Sequence, residues 1–169
     1  MTSKVFNVLF LCTGNSARSI IAESVLNHVG KGRYRAYSAG SFPSGKVNPL
    51  VLEYLGQQGI STAGARSKSW DEFVSADGVT LDFVITVCDD AAAEACPVWP
   101  GQPITAHWGV PDPARFMNDP DKARKVIHEV FLTLYRRIQL FVSLPASSLD
   151  RLALTAAVQD IGAEKRVET

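Results

Sequence analysis

The sequence predicts an α/β fold: a four-stranded parallel sheet with helices on both faces. Two observations carry this prediction. Short apolar runs rich in β-branched residues alternate with longer segments whose apolar positions recur every three or four residues. The first apolar run also ends in a loop of Cys, Gly, Asn and Ser that opens directly into a helical segment. Strands that alternate with helices pair in parallel, and ligands of such sheets bind beyond the carboxyl ends of the strands.

Val5 to Leu11 reads as a buried strand, followed by the loop Cys12 to Ala17. A helix covers Arg18 to Val29, where Ile20, Ile21, Val25, Leu26 and Val29 share a face, and Gly30 stops it. Arg33 to Ala39 is the second strand, closed by Gly40, and Pro49 to Gln58 the second helix, ended by Gly59. A short helix is expected over Ser69 to Ser75, a third strand over Phe83 to Val87 and a fourth over Ile104 to His107. Asp119 to Leu144 is a long amphipathic helix with Ile127, Val130, Phe131, Leu134, Ile138 and Phe141 on its buried side, ended by Pro145. The expected division is a catalytic domain over 1–145 and a helical tail over 146–169, the tail burying Leu149, Leu152, Ala156 and Ile161.

Composition excludes several classes of function. Lysine plus arginine equals aspartate plus glutamate, 17 each, so no global basic field attracts nucleic acid or an anionic membrane. No apolar run approaches the roughly 20 residues that span a bilayer. Val8 to Leu11 is too short for a signal-peptide core, so a cytoplasmic protein is expected. Its three cysteines are then reduced at rest, and an odd count argues against a structural disulfide framework. No His and Cys spacing suits zinc, so neither metal nor organic cofactor is expected.

The chemistry is concentrated in Cys12-Thr13-Gly14-Asn15-Ser16-Ala17-Arg18-Ser19. Between a strand and a helix, this length lets the backbone curl into a cup whose N–H groups point inward, reinforced by the helix N-terminus. Gly14 is expected to take a conformation closed to other residues. Arg18 can grip two oxygens of a tetrahedral anion in a fork. The same field is expected to lower the Cys12 thiol below its free value of about 8.5. Ser19 is placed to donate to the sulfur, and Asn15 to hold the loop's shape. An isolated Cys and Arg would more simply be a buried hydrophobe and a solvated helix residue. The ordered string after an apolar strand favours the cup.

This segment resembles the signature of the low-molecular-weight protein tyrosine phosphatase superfamily, Cys-x5-Arg-Ser opening a helix, and the order of elements agrees over roughly the first 145 residues. The resemblance implies that fold, with Cys12 as nucleophile. It also implies a general acid from a late Asp-Pro, a place taken here by Asp112-Pro113, stiffened by Pro111 before it.

A phosphatase needs no further thiol, yet Cys88 follows the third strand and Cys96 precedes Pro97. If the first and third strands are neighbours, Cys12 and Cys88 share one rim. A helical Cys88–Cys96 segment would separate its ends by about 12 Å, whereas a disulfide requires Cα atoms within about 7 Å. A bond between them therefore requires the segment to unwind, and a redox-switched segment is expected. Three cysteines so placed, with His107-Trp108-Gly109 ahead of Asp112-Pro113, resemble the arsenate reductases built on the same fold. That resemblance implies a cascade. Cys12 attacks arsenate, Cys88 attacks Cys12, Cys96 attacks Cys88, and thioredoxin or glutaredoxin reduces the last disulfide. In the stretch Arg66-Ser67-Lys68-Ser69, where some members bind potassium, this chain has Lys68. The alternatives are a tyrosine phosphatase working through a Cys12 phosphoenzyme, or a redox-sensing or anion-binding module without turnover. Against the phosphatase, Ala114-Arg115 follow Asp112-Pro113 where that class usually has aromatic walls.

Overall fold

In the computed structural model, residues 4–75, 78–89 and 97–164 are described. Four strands, β1 (Phe6–Cys12), β2 (Tyr34–Gly40), β3 (Phe83–Thr86) and β4 (Ile104–His107), form one sheet in the order β2-β1-β3-β4. Every pairing is parallel. β1 is central, and Val8 to Cys12 are all buried because both of its faces are covered. That explains why it reads as a continuous apolar run rather than an alternation.

Among the described residues, one face packs against four helices: α1 (Arg18–Val29), α2 (Pro49–Gln57), α3 (Pro120–Val142) and α4 (Arg151–Gly162). Val8, Phe10, Phe83 and Ile85 point to this side and join Ile20, Leu26, Leu55, Ile127, Leu134 and Val158 in the main core. Leu9, Leu11 and Val84 point to the other side. There they meet Phe73 of the 3-10 helix Trp70–Phe73 and Trp99 in a smaller cluster. Helix starts follow their capping residues: Asn48 accepts from Leu50 N, Asp119 from Lys122 N, and Asp150 from Ala153 N.

The tail helix forms, but in a different phase from the one its sequence suggests. Leu154, Val158 and Ile161 are buried, whereas Leu152 is 82% exposed. The Asp150 cap starts the helix at Arg151, and an i, i+4, i+7 stripe from Leu154 then faces the core. Trp99 and Trp108 are both buried, Trp108 completely, so both serve as core residues. No helix among the described residues is long and apolar enough to cross a membrane.

Candidate active site

The strand order places the crossover between β1 and β3, where the connections leave in opposite directions. Leu11 is level with Thr86, and the Val87 N–H continues the ladder to Leu11 O at 2.8 Å. Cys12 and Cys88 therefore emerge on one rim. Both are buried, at 3% and 1% exposure, and the Thr13 hydroxyl oxygen lies 3.7 Å from Cys88 Sγ. Cys96 and residues 90–95 lie outside the described residues, so the expected unwinding of that segment does too.

Residues 12–18 curl around a cavity of about 230 Å³ that Asp112 and Ala114 close from the opposite side. The left-handed residue of this cup is Asn15, at φ 48°, and not Gly14 as the sequence suggests. Asparagine tolerates that region, and here its side chain is fixed at both ends. Its Oδ1 accepts the Lys68 backbone N–H at 2.9 Å, and its Nδ2 donates to Ser19 Oγ at 2.8 Å. Gly14 contributes its carbonyl, which accepts from Ser44 N at 2.9 Å and Ser67 Oγ at 3.1 Å. Phe42 N bonds Thr13 O, and Asn48 N bonds Ser16 O. Gly40 permits this docking, because a Cβ there would stand 2.3 Å from Thr13 O.

Cys12 Sγ lies 2.9 Å from Ser19 Oγ and accepts the Asn15 N–H at 3.2 Å. The Asn15 amide fixes Ser19 Oγ beside the sulfur, where its hydroxyl can donate to a Cys12 thiolate. Burial pushes the thiol up, while the Ser19 hydroxyl and N–H and the Arg18 charge pull it down. Burial has the largest effect and leaves the thiol above its ordinary range. The expected depression is not met, because the loop that gathers the N–H groups also removes water from the sulfur. Ser19→Ala should therefore raise the thiol further. Its alkylation by iodoacetamide should slow on the order of tenfold near neutral pH, since a hydrogen bond to a charged group is worth about 1.5–3 kcal/mol. The pH–rate profile should move to higher pH and reach the wild-type plateau; an unmoved profile would remove Ser19 from this role.

Arg18 begins α1 and turns its guanidinium across the cavity mouth. Nη1 donates to Val110 O at 3.3 Å, and Nη2 lies 3.5 Å from Asp112 Oδ2. Asp112 also accepts from Ala114 N at 3.0 Å, capping the 3-10 helix Pro113–Phe116. A second cavity, of about 250 Å³, adjoins the first through Arg18 and Asp112 and carries Asp89 and Arg115 on its walls. A further cavity of about 620 Å³ beside Trp99 and β4 shares no lining residue with the cup.

Two further residues, Lys68 and His107, support the site through contacts with distant segments. Lys68 reaches the loop from 53 residues away, and its ammonium is buried 3.9 Å from the Glu23 carboxylate. Burial pushes Lys68 down and Glu23 up, and the mutual attraction opposes both shifts. His107 joins Thr86 Oγ1 through Nδ1 at 2.7 Å and Asp89 Oδ1 through Nε2 at 2.8 Å, which ties the residue after Cys88 to β4.

A strand-terminal cysteine, the curled loop after it, an arginine and a facing aspartate line one small cavity beyond the carboxyl ends of a parallel sheet, the place where such sheets bind ligands. The chain belongs to the low molecular weight phosphotyrosine protein phosphatase family, whose model matches residues 7–144. Within that family it is similar to arsenate reductases. One from Shouchella clausii is 33% identical over 142 residues, spanning 83% of this chain and 96% of that protein. The crystal structure of an arsenate reductase from Archaeoglobus fulgidus superposes with a TM-score of 0.60 at 29% identity, covering 78% of this chain and 98% of that one. A thioredoxin-dependent arsenate reductase from Corynebacterium glutamicum gives a TM-score of 0.57 at 29% identity, covering 83% and 65%.

Proposed function

We propose that this protein is an arsenate reductase in which Cys12, Cys88 and Cys96 pass oxidation outward from the anion cup. The observation that carries the reading is Cys88, buried just past the end of β3 with its sulfur 3.7 Å from the hydroxyl of Thr13, the cup residue next to Cys12. Hydrolysis of a phosphoenzyme has no use for a second thiol there.

The cup amides and Arg18 hold arsenate with one oxygen pointing away from Cys12. The sulfur attacks arsenic, an As–O bond breaks, and the oxygen leaves as water. The thiol proton and Asp112 serve that departure. Arsenic is still pentavalent in this adduct. Cys88 then attacks the Cys12 sulfur, so an S–S bond forms and the S–As bond breaks. Its electron pair stays on arsenic, which leaves as trivalent arsenite after taking up protons. Two thiols have lost two electrons and arsenic has gained them. Cys96 attacks Cys88 and frees Cys12, and an external dithiol of the thioredoxin type reduces the Cys88–Cys96 disulfide. The similar enzyme from Corynebacterium glutamicum, described as thioredoxin-dependent, supports that choice of donor.

The test is NADPH oxidation by the purified protein with thioredoxin and thioredoxin reductase. Turnover should require arsenate and vanish in Cys12→Ser, Cys88→Ser and Cys96→Ser. Activity with glutaredoxin and glutathione alone would change the donor and keep the cascade. Aryl phosphate hydrolysis that survives Cys88→Ser, with no arsenate turnover, would make the protein a phosphatase.

A further inference from the structure

Helix α4 lies beyond the stretch matched by the family model, yet it is bonded to the loop that carries Asp112. The last residue of β4, His107, and the first two residues of that loop, Trp108 and Gly109, are held from the side of α4. Gly162, the last residue of α4, lies so close that a Cβ would stand 2.1 Å from His107 O and 2.8 Å from Trp108 Cδ1. The Trp108 indole N–H donates to Val158 O of α4 at 3.0 Å, with both residues fully buried. Gly109 O accepts from Arg137 Nη1 of α3 at 3.1 Å, and Nη2 of the same buried guanidinium donates to Glu164 O, just past the end of α4, at 2.9 Å. The next residue, Val110, gives its carbonyl to Arg18, and Asp112 faces the same guanidinium.

We propose that α4 is a positioning element for the acid loop. Docked through Gly162, Trp108 and Arg137, it sets the depth at which Val110 and Asp112 meet Arg18 over the cup. This inference rests on the reading of Asp112 as the acid that serves the departing oxygen. No described residue of the tail lines the cup cavity, so the action of α4 passes through the loop. The geometry also explains two residues that the oxyanion chemistry does not need. A glycine ends α4 because no side chain fits between the helix and His107 O. An arginine is buried in the apolar stripe of α3 because one planar fork can reach the loop carbonyl and the carbonyl just past α4 together.

The test uses the full chain with Gly162→Val, which forces the helix end away from His107, and Trp108→Phe, which removes the indole N–H donor together with part of the ring's bulk and keeps an aromatic ring in the core. Amide exchange should accelerate at residues 107–112 in both variants, more in Gly162→Val, while β1 and α1 keep wild-type protection. For arsenate, Gly162→Val should lower kcat on the order of 10-fold to 100-fold, the scale of a small misplacement of a reacting group. The loss in kcat should exceed any rise in KM, because Asp112 is displaced directly while the cup loop stays in place and Arg18 loses only its hold on Val110. The deciding readout is a double-mutant cycle. In an Asp112→Asn background, Gly162→Val should cost little further, since the group it misplaces has already been disabled. Unchanged exchange at 107–112, or an equal cost of Gly162→Val in both backgrounds, would overturn the proposal. If wild-type protein does not turn over arsenate, the reductase reading fails by itself. Amide exchange then decides whether the tail holds the loop.

Discussion

Replacement of Arg18 by lysine is expected to lower kcat/KM for arsenate by about 10²–10³, the range measured when one preorganised donor to a developing oxyanion is removed. The unfolding midpoint should hardly change. Arg18 stands at the first position of α1, its side chain only 12% exposed, with one nitrogen on Val110 O and another facing Asp112. Both nitrogens therefore lie in the plane between cup and acid loop before any anion arrives. A lysine keeps the charge but presents it as a point, and it cannot satisfy two oxygens in a fixed fork. Binding and chemistry should both suffer, so KM rises and kcat falls. Steady-state kinetics beside a thermal melt separate this outcome from misfolding. A variant with wild-type kcat/KM would mean that the loop amides alone hold the anion.

Cys88→Ser is expected to abolish turnover, a fall of at least about 10³ of the kind seen when a group that forms a covalent intermediate is lost. The Cys12 site should remain able to bind. By extension of the β1/β3 register, in which Leu11 faces Thr86, Cys88 stands level with Thr13, one step beyond Cys12 on the neighbouring strand. Adjacent strands run roughly 4.8 Å apart, and disulfide-bonded Cα atoms lie about 4.4–6.8 Å apart. The second thiol thus needs a local adjustment and no domain movement to reach the first. In the variant, arsenate should still protect Cys12 from alkylation, and no arsenite should appear. In Cys96→Ser, a single turnover should release one arsenite per chain and leave Cys12 bonded to Cys88, visible as a linked peptide pair by mass spectrometry. A Cys12–Cys88 pair that never forms in Cys96→Ser would reject the order of the cascade.

Much of the framework was legible because it rests on local patterns. β1 is a continuous apolar run because both faces are covered, and α1 starts and stops where its apolar period and Gly30 place it. The shared rim of Cys12 and Cys88 follows from strand ends and a strand order. The remainder depends on contacts that spacing does not encode. Nothing near Asn15 announces that it, and not Gly14, takes the left-handed turn, because the restraint comes from Lys68 on a distant segment. The apolar residues of the tail fit more than one helical face, and only the Asp150 cap and the contact at His107 choose Leu154, Val158 and Ile161. The direction of the Cys12 shift was misjudged because the sequence displays the donors around the sulfur but not the water they displace.

The anchoring of the cup by Phe42, Ser44, Asn48, Ser67 and Lys68 has a consequence for selectivity. A loop so fixed is ordered when the chain folds, and little ordering remains to be done when an anion arrives. Such a rigid mould measures size, shape and charge. Arsenate and phosphate are nearly alike in all three, so phosphate, abundant in any cell, should occupy the cup as a competitive inhibitor. On the proposed mechanism the two are told apart only after capture, at the step where a thiol removes sulfur from the bound atom. Arsenic accepts the electron pair left behind, whereas phosphorus in the same position does not. The discrimination then lies in the redox chemistry of the substrate, and binding alone would not provide it.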